Sequence, residues 1–109
     1  MSWINKMKYK KINDLQKDLE FFNRQKLEIV ELIETIKSLK KGLNFLSPIG
    51  GGIYIDTKLN NETFKLNIGS GKIVEKTKEE LIQLLTKRIS DIEIIEKEKN
   101  IELLNLQNK

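Results

Sequence analysis

Apolar residues in the first third of the chain recur at alternating spacings of three and four. Ile12, Leu15, Leu19, Phe22, Ile29, Ile33 and Ile36 keep that register, and Lys26 is its one missing step. No glycine or proline interrupts the run. The pattern predicts a coiled-coil helix from about Asn5 to Lys41. Lys37, Lys40 and Lys41 followed by Gly42 suit the negative end of a helix dipole and a glycine C-cap. A second helix is predicted from about Lys78 to Gln107. Thr77 and Glu80 have the spacing of a capping box at its start. Its seam reads Ile82, Leu85, Ile89 and Ile92, then Glu96 and Lys99, then Leu103 and Leu106. At ~1.5 Å per residue the two arms are about 55 and 45 Å long. Neither helix is stable alone, and paired antiparallel they make a long helical hairpin.

Between the helices the period changes to two. Ile53, Ile55 and Leu59 alternate with Tyr54, Asp56 and Lys58. Phe64, Leu66 and Ile68 alternate with Thr63, Lys65 and Asn67. These are half-buried strands. Pro48-Ile49-Gly50-Gly51-Gly52 is a turn that folds a short strand around Phe45 against the strand beginning at Ile53. Asn60-Asn61 joins the two runs, and Gly69-Ser70-Gly71 leads to a last strand, Lys72 to Glu75. The fold class is α+β: a long antiparallel coiled-coil hairpin joined by two β-hairpins. It is read as a single domain over 1–109, with helical arms at 1–42 and 77–109 and the hairpins at 43–76.

A few short strands cannot form an independent core, and an isolated hairpin is marginal in water. Open edges and an apolar face are an aggregation hazard. Strands from several subunits are therefore expected to join. The expected assembly residues are Pro48, Ile53, Ile55, Phe64, Leu66, Ile68 and Ile73.

Composition narrows the chemistry. The 109 residues include no cysteine and no histidine, which removes disulfides, thiolate nucleophiles, the usual zinc sites and imidazole catalysis. The charged fraction of 33% and aromatic fraction of 6% favour long solvated helices. The net charge of +4 is spread among interspersed lysines and glutamates, a solvated surface and not a nucleic-acid patch. There is no apolar run of the ~20 residues a membrane span needs. Met1 to Lys11 lacks the apolar stretch and cleavage site of a signal peptide, so a soluble, cytoplasmic protein is expected.

Gly69-Ser70-Gly71-Lys72 suggests a phosphate loop but does not fit one. Leu66 stands where the first glycine is needed, Ile73 where Ser or Thr would meet magnesium, and a strand follows where a helix should open. Gly50-Gly51-Gly52 likewise lacks the third glycine of a dinucleotide fingerprint, since Ile55 occupies that place. Carboxylate neighbours such as Glu79 with Glu80, and Glu93 with Glu96, sit on helices with no cleft between them. No catalytic constellation, cofactor or metal is expected, and the chain is not read as an enzyme.

Two blocks in the middle segment are specific when taken together. Leu46-Ser47-Pro48-Ile49-Gly50-Gly51-Gly52-Ile53-Tyr54-Ile55 and Asn67-Ile68-Gly69-Ser70-Gly71-Lys72-Ile73-Val74-Glu75-Lys76 resemble the pattern of the alpha class of the prefoldin family. In that family a Val-Pro-Ile-Gly-Gly-Gly run enters one hairpin and a Val-Gly-Ser-Gly-Val-Val-Val-Glu-Lys run closes the second. With the flanking heptads the resemblance covers essentially the whole chain. It implies a hetero-hexamer of two alpha and four beta-class subunits, with a double β-barrel platform and six coiled-coil tentacles. It also implies an ATP-independent holdase that grips unfolded client proteins near the tentacle tips and passes them to a group II chaperonin. Ser47 departs from the family's usual apolar residue, and the arms are short for an alpha subunit, which bears on tentacle reach and not on the barrel.

Chain topology puts both termini at the far end of the helical hairpin. Trp3, Ile4, Met7 and Tyr9 lie at one terminus, and Ile101, Leu103, Leu104 and Leu106 at the other. They either zip the end of the coil or splay to offer apolar surface to clients, and Glu96 and Lys99 loosen the seam just before them. Two other functions fit the same elements. A coiled-coil scaffold would bind one defined partner, and an architectural nucleic-acid binder would show steeply salt-dependent binding.

Overall fold

A computed structural model describes residues 2–60 and 63–108. The order of elements is α1 (Trp3–Ser38), β1 (Asn44–Gly50), β2 (Ile53–Lys58), β3 (Thr63–Gly69), β4 (Lys72–Thr77) and α2 (Lys78–Gln107). The helix, two hairpins, helix layout is the one expected. Asn61, in the expected link between the hairpins, lies outside the described residues. The chain divides into two compact units: the α1 residues up to Glu31 with the α2 residues from Thr86 onward, and Leu32–Leu85.

α1 starts two residues earlier than its apolar register suggests. Ser2 is the reason. Its hydroxyl accepts from the Asn5 backbone N–H at 3.2 Å, and its carbonyl accepts from Lys6 N–H at 3.1 Å, so it acts as an N-cap. The other end corrects the expectation: α1 stops at Ser38 and not at Lys41. Its open carbonyls are taken by a distant side chain, because the Lys78 ammonium donates to the carbonyls of Lys37 (3.4 Å) and Leu39. The chain then turns over Lys40–Leu43, with Leu43 N–H on the Lys40 carbonyl at 3.0 Å. Gly42 has φ +87°, the conformation a type II turn requires at its third residue. It serves that turn and is not the helix cap. Gly42 N–H also donates to Leu59 O (2.8 Å) and Leu59 N–H to Leu43 O (2.9 Å), which extends the pairing of the first hairpin past its strands.

α2 begins where its capping box predicts. Glu80 N–H donates to Thr77 Oγ1 at 3.1 Å, and Thr77 N–H donates to Glu80 Oε1 at 3.0 Å. These two bonds hold the Glu80 carboxyl below its usual range, with the Lys76 charge adding to the effect.

In the Leu32–Leu85 unit, Ile33 and Ile36 of α1 and Leu81 and Leu85 of α2 are buried. Leu81 was outside the expected seam; it flanks Ile82 and takes the deeper place. In the other unit Leu15 and Ile92 are buried, and the remaining expected seam positions of both helices are half-buried.

Each β-hairpin is its own two-stranded antiparallel sheet, β1 with β2 and β3 with β4. The two share one closing device. Gly51 and Gly52 (φ +57° and +78°) and Ser70 and Gly71 (φ +54° and +74°) are two-residue turns with both φ values positive, the type I′ geometry that matches strand twist. The register shifts just before each turn, between Pro48 and Gly50 and between Asn67 and Gly69. Ile49 and Ile68 are therefore the extra residues of matching β-bulges. Asn67 Oδ1 accepts from Gly69 N–H at 2.9 Å and steadies the second.

Candidate functional site

Strand pairing fixes which side chains share a face. In the first hairpin Phe45 pairs with Thr57 and Ser47 with Ile55, so Ile53 and Ile55 share a face with Phe45. Pro48 pairs with Tyr54 and lies on the opposite face. In the second hairpin Leu66 pairs with Val74 and Phe64 with Lys76, and this face is half-buried. Ile73 pairs with Asn67 on the other side. Ile68 sits at the bulge and is exposed, as are Ile53, Ile55 and Ile73. The expected assembly residues thus fall on both faces of their hairpins. Phe45 shares the face of Ile53 and Ile55, Leu46 lies with Pro48 on the opposite face, and Val74 pairs with Leu66. The cross-strand register that reveals them depends on the bulges, which the sequence pattern did not show.

The second candidate surface is the end of the unit that holds both helix termini. Ion pairs join α1 to α2 there, among them Lys26 with Glu96 at 2.6 Å, Asp18 with Lys99 at 3.2 Å, and Lys11 with Glu102 at 3.7 Å. Their order descends on α1 as it rises on α2, so the helices run antiparallel. The first two pairs absorb every break in the expected seams, because Lys26, Glu96 and Lys99 all find partners across it. Glu96 bears a hydrogen bond from Lys26 that holds the lysine above its ordinary pKa, with the charges of Glu96 and Glu93 adding to the effect.

Past Glu102 the last turns of α2 run beside the α1 residues that precede Lys11. Trp3 and Ile4, in the first turn of α1, are 73% and 71% exposed. Met7, Tyr9, Ile101 and Leu104 are exposed as well. Leu103 and Leu106 are half-buried at seam positions.

The segment Gly69-Ser70-Gly71-Lys72 closes a hairpin and leads into strand β4. Of the carboxylate neighbours, Glu80 is in the capping box and Glu96 in the cross-helix pair. Among the described residues no helix is long and apolar enough to cross a membrane.

Two antiparallel helices with a charge-bridged seam, and two β-hairpins inserted between them, define an α+β coiled-coil hairpin protein. Residues 9–109 match the family described as prefoldin subunit. The chain belongs to the prefoldin family. It is 44% identical over 70 residues to prefoldin subunit alpha of Nitrosopumilus maritimus, covering 62% of this chain and 48% of that one. It is 30% identical over 84 residues to prefoldin subunit alpha 1 of Methanocaldococcus jannaschii, covering 77% of this chain and 59% of the relative. The chain thus spans about half the length of the curated relatives it matches. Its fold is similar to that in a cryo-EM structure of filamentous PFD from Methanocaldococcus jannaschii. The TM-score is 0.85 at 15% identity, over 99% of this chain and 93% of that one.

Proposed function

We propose that the chain is a subunit of an ATP-independent holdase chaperone that binds unfolded polypeptides at its helix ends and delivers them to a group II chaperonin in the cytoplasm. The observation that carries this reading is the collection of Trp3, Ile4, Met7, Tyr9, Ile101 and Leu104 as exposed side chains around one end of the helix pair. Leu103 and Leu106 back that surface from the seam. A soluble chain that leaves such residues uncovered has a binding surface there, and methionine and aromatics suit varied apolar partners. Each contact is weak, and several arms in one particle retain a client by effective concentration.

The same reading makes the hairpins the assembly region. Each is a two-stranded sheet with open edges and exposed apolar residues, and joining strands between subunits removes that hazard. The partners are beta-class prefoldin subunits, two alpha with four beta. Pro48, Ile53, Ile55, Phe64, Leu66, Ile68 and Ile73 are the assembly positions.

The test has two parts. Native mass of the protein isolated from its source should show a hexamer-sized particle with a second small coiled-coil chain in a one-to-two ratio. Deleting residues 1–8 and 101–109 should abolish suppression of aggregation of unrelated denatured proteins while leaving that mass class intact. Unchanged suppression after the deletion would sink binding at the helix ends.

A further inference from the structure

The exposed end of α1 is basic as well as apolar. Between Trp3 and Ile12 the helix carries Lys6, Lys8, Lys10 and Lys11, and its first acidic residue is Asp14. The first turn holds no acidic residue. Lysines at a helix N-terminus act against the helix dipole, which favours negative charge there. They do not help the helix, and their field adds to that of the dipole. A shallow groove on this end is lined by Ile4, Met7, Lys8, Lys10, Lys11 and Asp14. Apolar side chains and ammonium groups thus border the same depression. The one cross-helix partner seen for Lys11 is Glu102 at 3.7 Å, an exposed contact that solvent weakens. Across the whole chain lysines and glutamates are interspersed, but over these three turns the charge is of one sign and lies beside Trp3 and Tyr9.

We propose that this end of α1 selects, among unfolded chains, segments in which acidic side chains flank apolar ones. Trp3, Ile4 and Met7 take the apolar side chains, and Lys6, Lys10 and Lys11 take the carboxylates. The proposal rests on the holdase reading and names the substrate class of that surface. Charge complementarity adds selectivity and speeds encounter, while the apolar contacts hold the segment. Acidic segments should therefore be favoured at low salt and lose their advantage as salt screens the lysines.

Trp3 is the only tryptophan in the chain, so its emission reports on this surface alone. The test titrates the full chain with three unstructured peptides of identical apolar content, in which the flanking residues are Glu, Gln or Lys. The Glu peptide should blue-shift Trp3 emission and bind about tenfold more tightly than the Lys peptide at low salt, the size of a few exposed charge contacts acting together. That difference should collapse at high salt and in the Lys6→Gln, Lys10→Gln, Lys11→Gln variant, and survive when the same lysines become Arg. All three peptides binding equally would overturn the charge selectivity and leave the holdase reading standing. None of them binding or moving Trp3 would remove client binding at this end altogether. A Trp3 shift with phosphatidylserine vesicles or a single-stranded oligonucleotide, and none with peptide, would overturn the proposal in favour of a membrane or nucleic-acid surface.

Discussion

Lys26 and Glu96 meet across the helix pair at 2.6 Å; Lys26 is the polar exception in the α1 seam, and Glu96 is one of two in the α2 seam. The Glu96 side chain is only 15% exposed, so the pair occupies a layer that Leu or Ile would otherwise fill. A polar layer in a coiled coil fixes alignment at some cost in stability. If the helices slipped by a turn, Glu96 would face Phe22 or Ile29, and Lys26 would face Ile92 or the like charge of Lys99.

Removing one member should therefore be worse than removing both. Lys26→Leu or Glu96→Leu alone should lower Tm. The double variant should melt at or above the parent, as well-packed apolar replacements of buried pairs often do. Thermal melts of the three variants check this. The hydrogen bond to Glu96 raises the folded-state pKa of Lys26 above its ordinary 10.5. The pair's contribution is then complete below that value and is lost as pH rises through the higher folded-state value. Alkaline melts should show that loss in the parent and not in the double variant.

The capping box gives the opposite sign. Glu80 is held below its ordinary 4.5 by its bonds with Thr77. Its contribution is present above that value and lost as pH falls through the lower folded-state value. Thr77→Ala should cost about 1 kcal/mol at neutral pH. It should also move the Glu80 titration, followed by carboxyl NMR, back up toward 4.5.

The hairpin turns separate backbone strain from packing. A Cβ added at Gly51 meets nothing within 4 Å, yet φ is +57°. Gly51→Ala should cost about 1 kcal/mol through the backbone alone. Ser70 has φ +54° and is the one non-glycine with positive φ among the described residues. Ser70→Asn makes the Asn-Gly pair that type I′ turns prefer and should stabilise by about 0.5 kcal/mol or less. Urea unfolding of both variants measures these effects.

Ile55 tests the assembly reading. It is exposed in the single chain and shares a face with Phe45 and Ile53. Ile55→Asp should leave helicity by circular dichroism unchanged, because no core of this chain is disturbed. Native mass should shift from the assembled particle to free chain. An unchanged particle would mean that the face of Phe45, Ile53 and Ile55 is not used in assembly.

Local signals were legible because they involve neighbours in the chain. The seams from Ile12 to Ile36 and from Ile82 to Leu106 follow from helical periodicity. The Thr77–Glu80 box and the glycine turns need only residues a few positions apart. The end of α1 was misplaced because its cap comes from Lys78, 39 residues beyond Leu39, and Gly42, which looked like the cap, serves a turn instead. The exposed end of the helices was legible from topology, since both termini had to lie there. The same periodicity placed Leu103 and Leu106 in the seam, where they are half-buried, and left Leu104 outside it, where it is exposed.

By itself, then, the sequence determined which segments are helix and strand, where α2 starts, and which turns require positive φ. Each of these is settled by the conformational preferences of a few consecutive residues. Only the tertiary structure decided that the polar breaks at Lys26, Glu96 and Lys99 are bridged and not loose, and that Ile49 and Ile68 are bulged. A seam position tolerates a charge only when the opposite charge stands at the same level of the other helix. That coincidence exists only once the two helices have chosen their register.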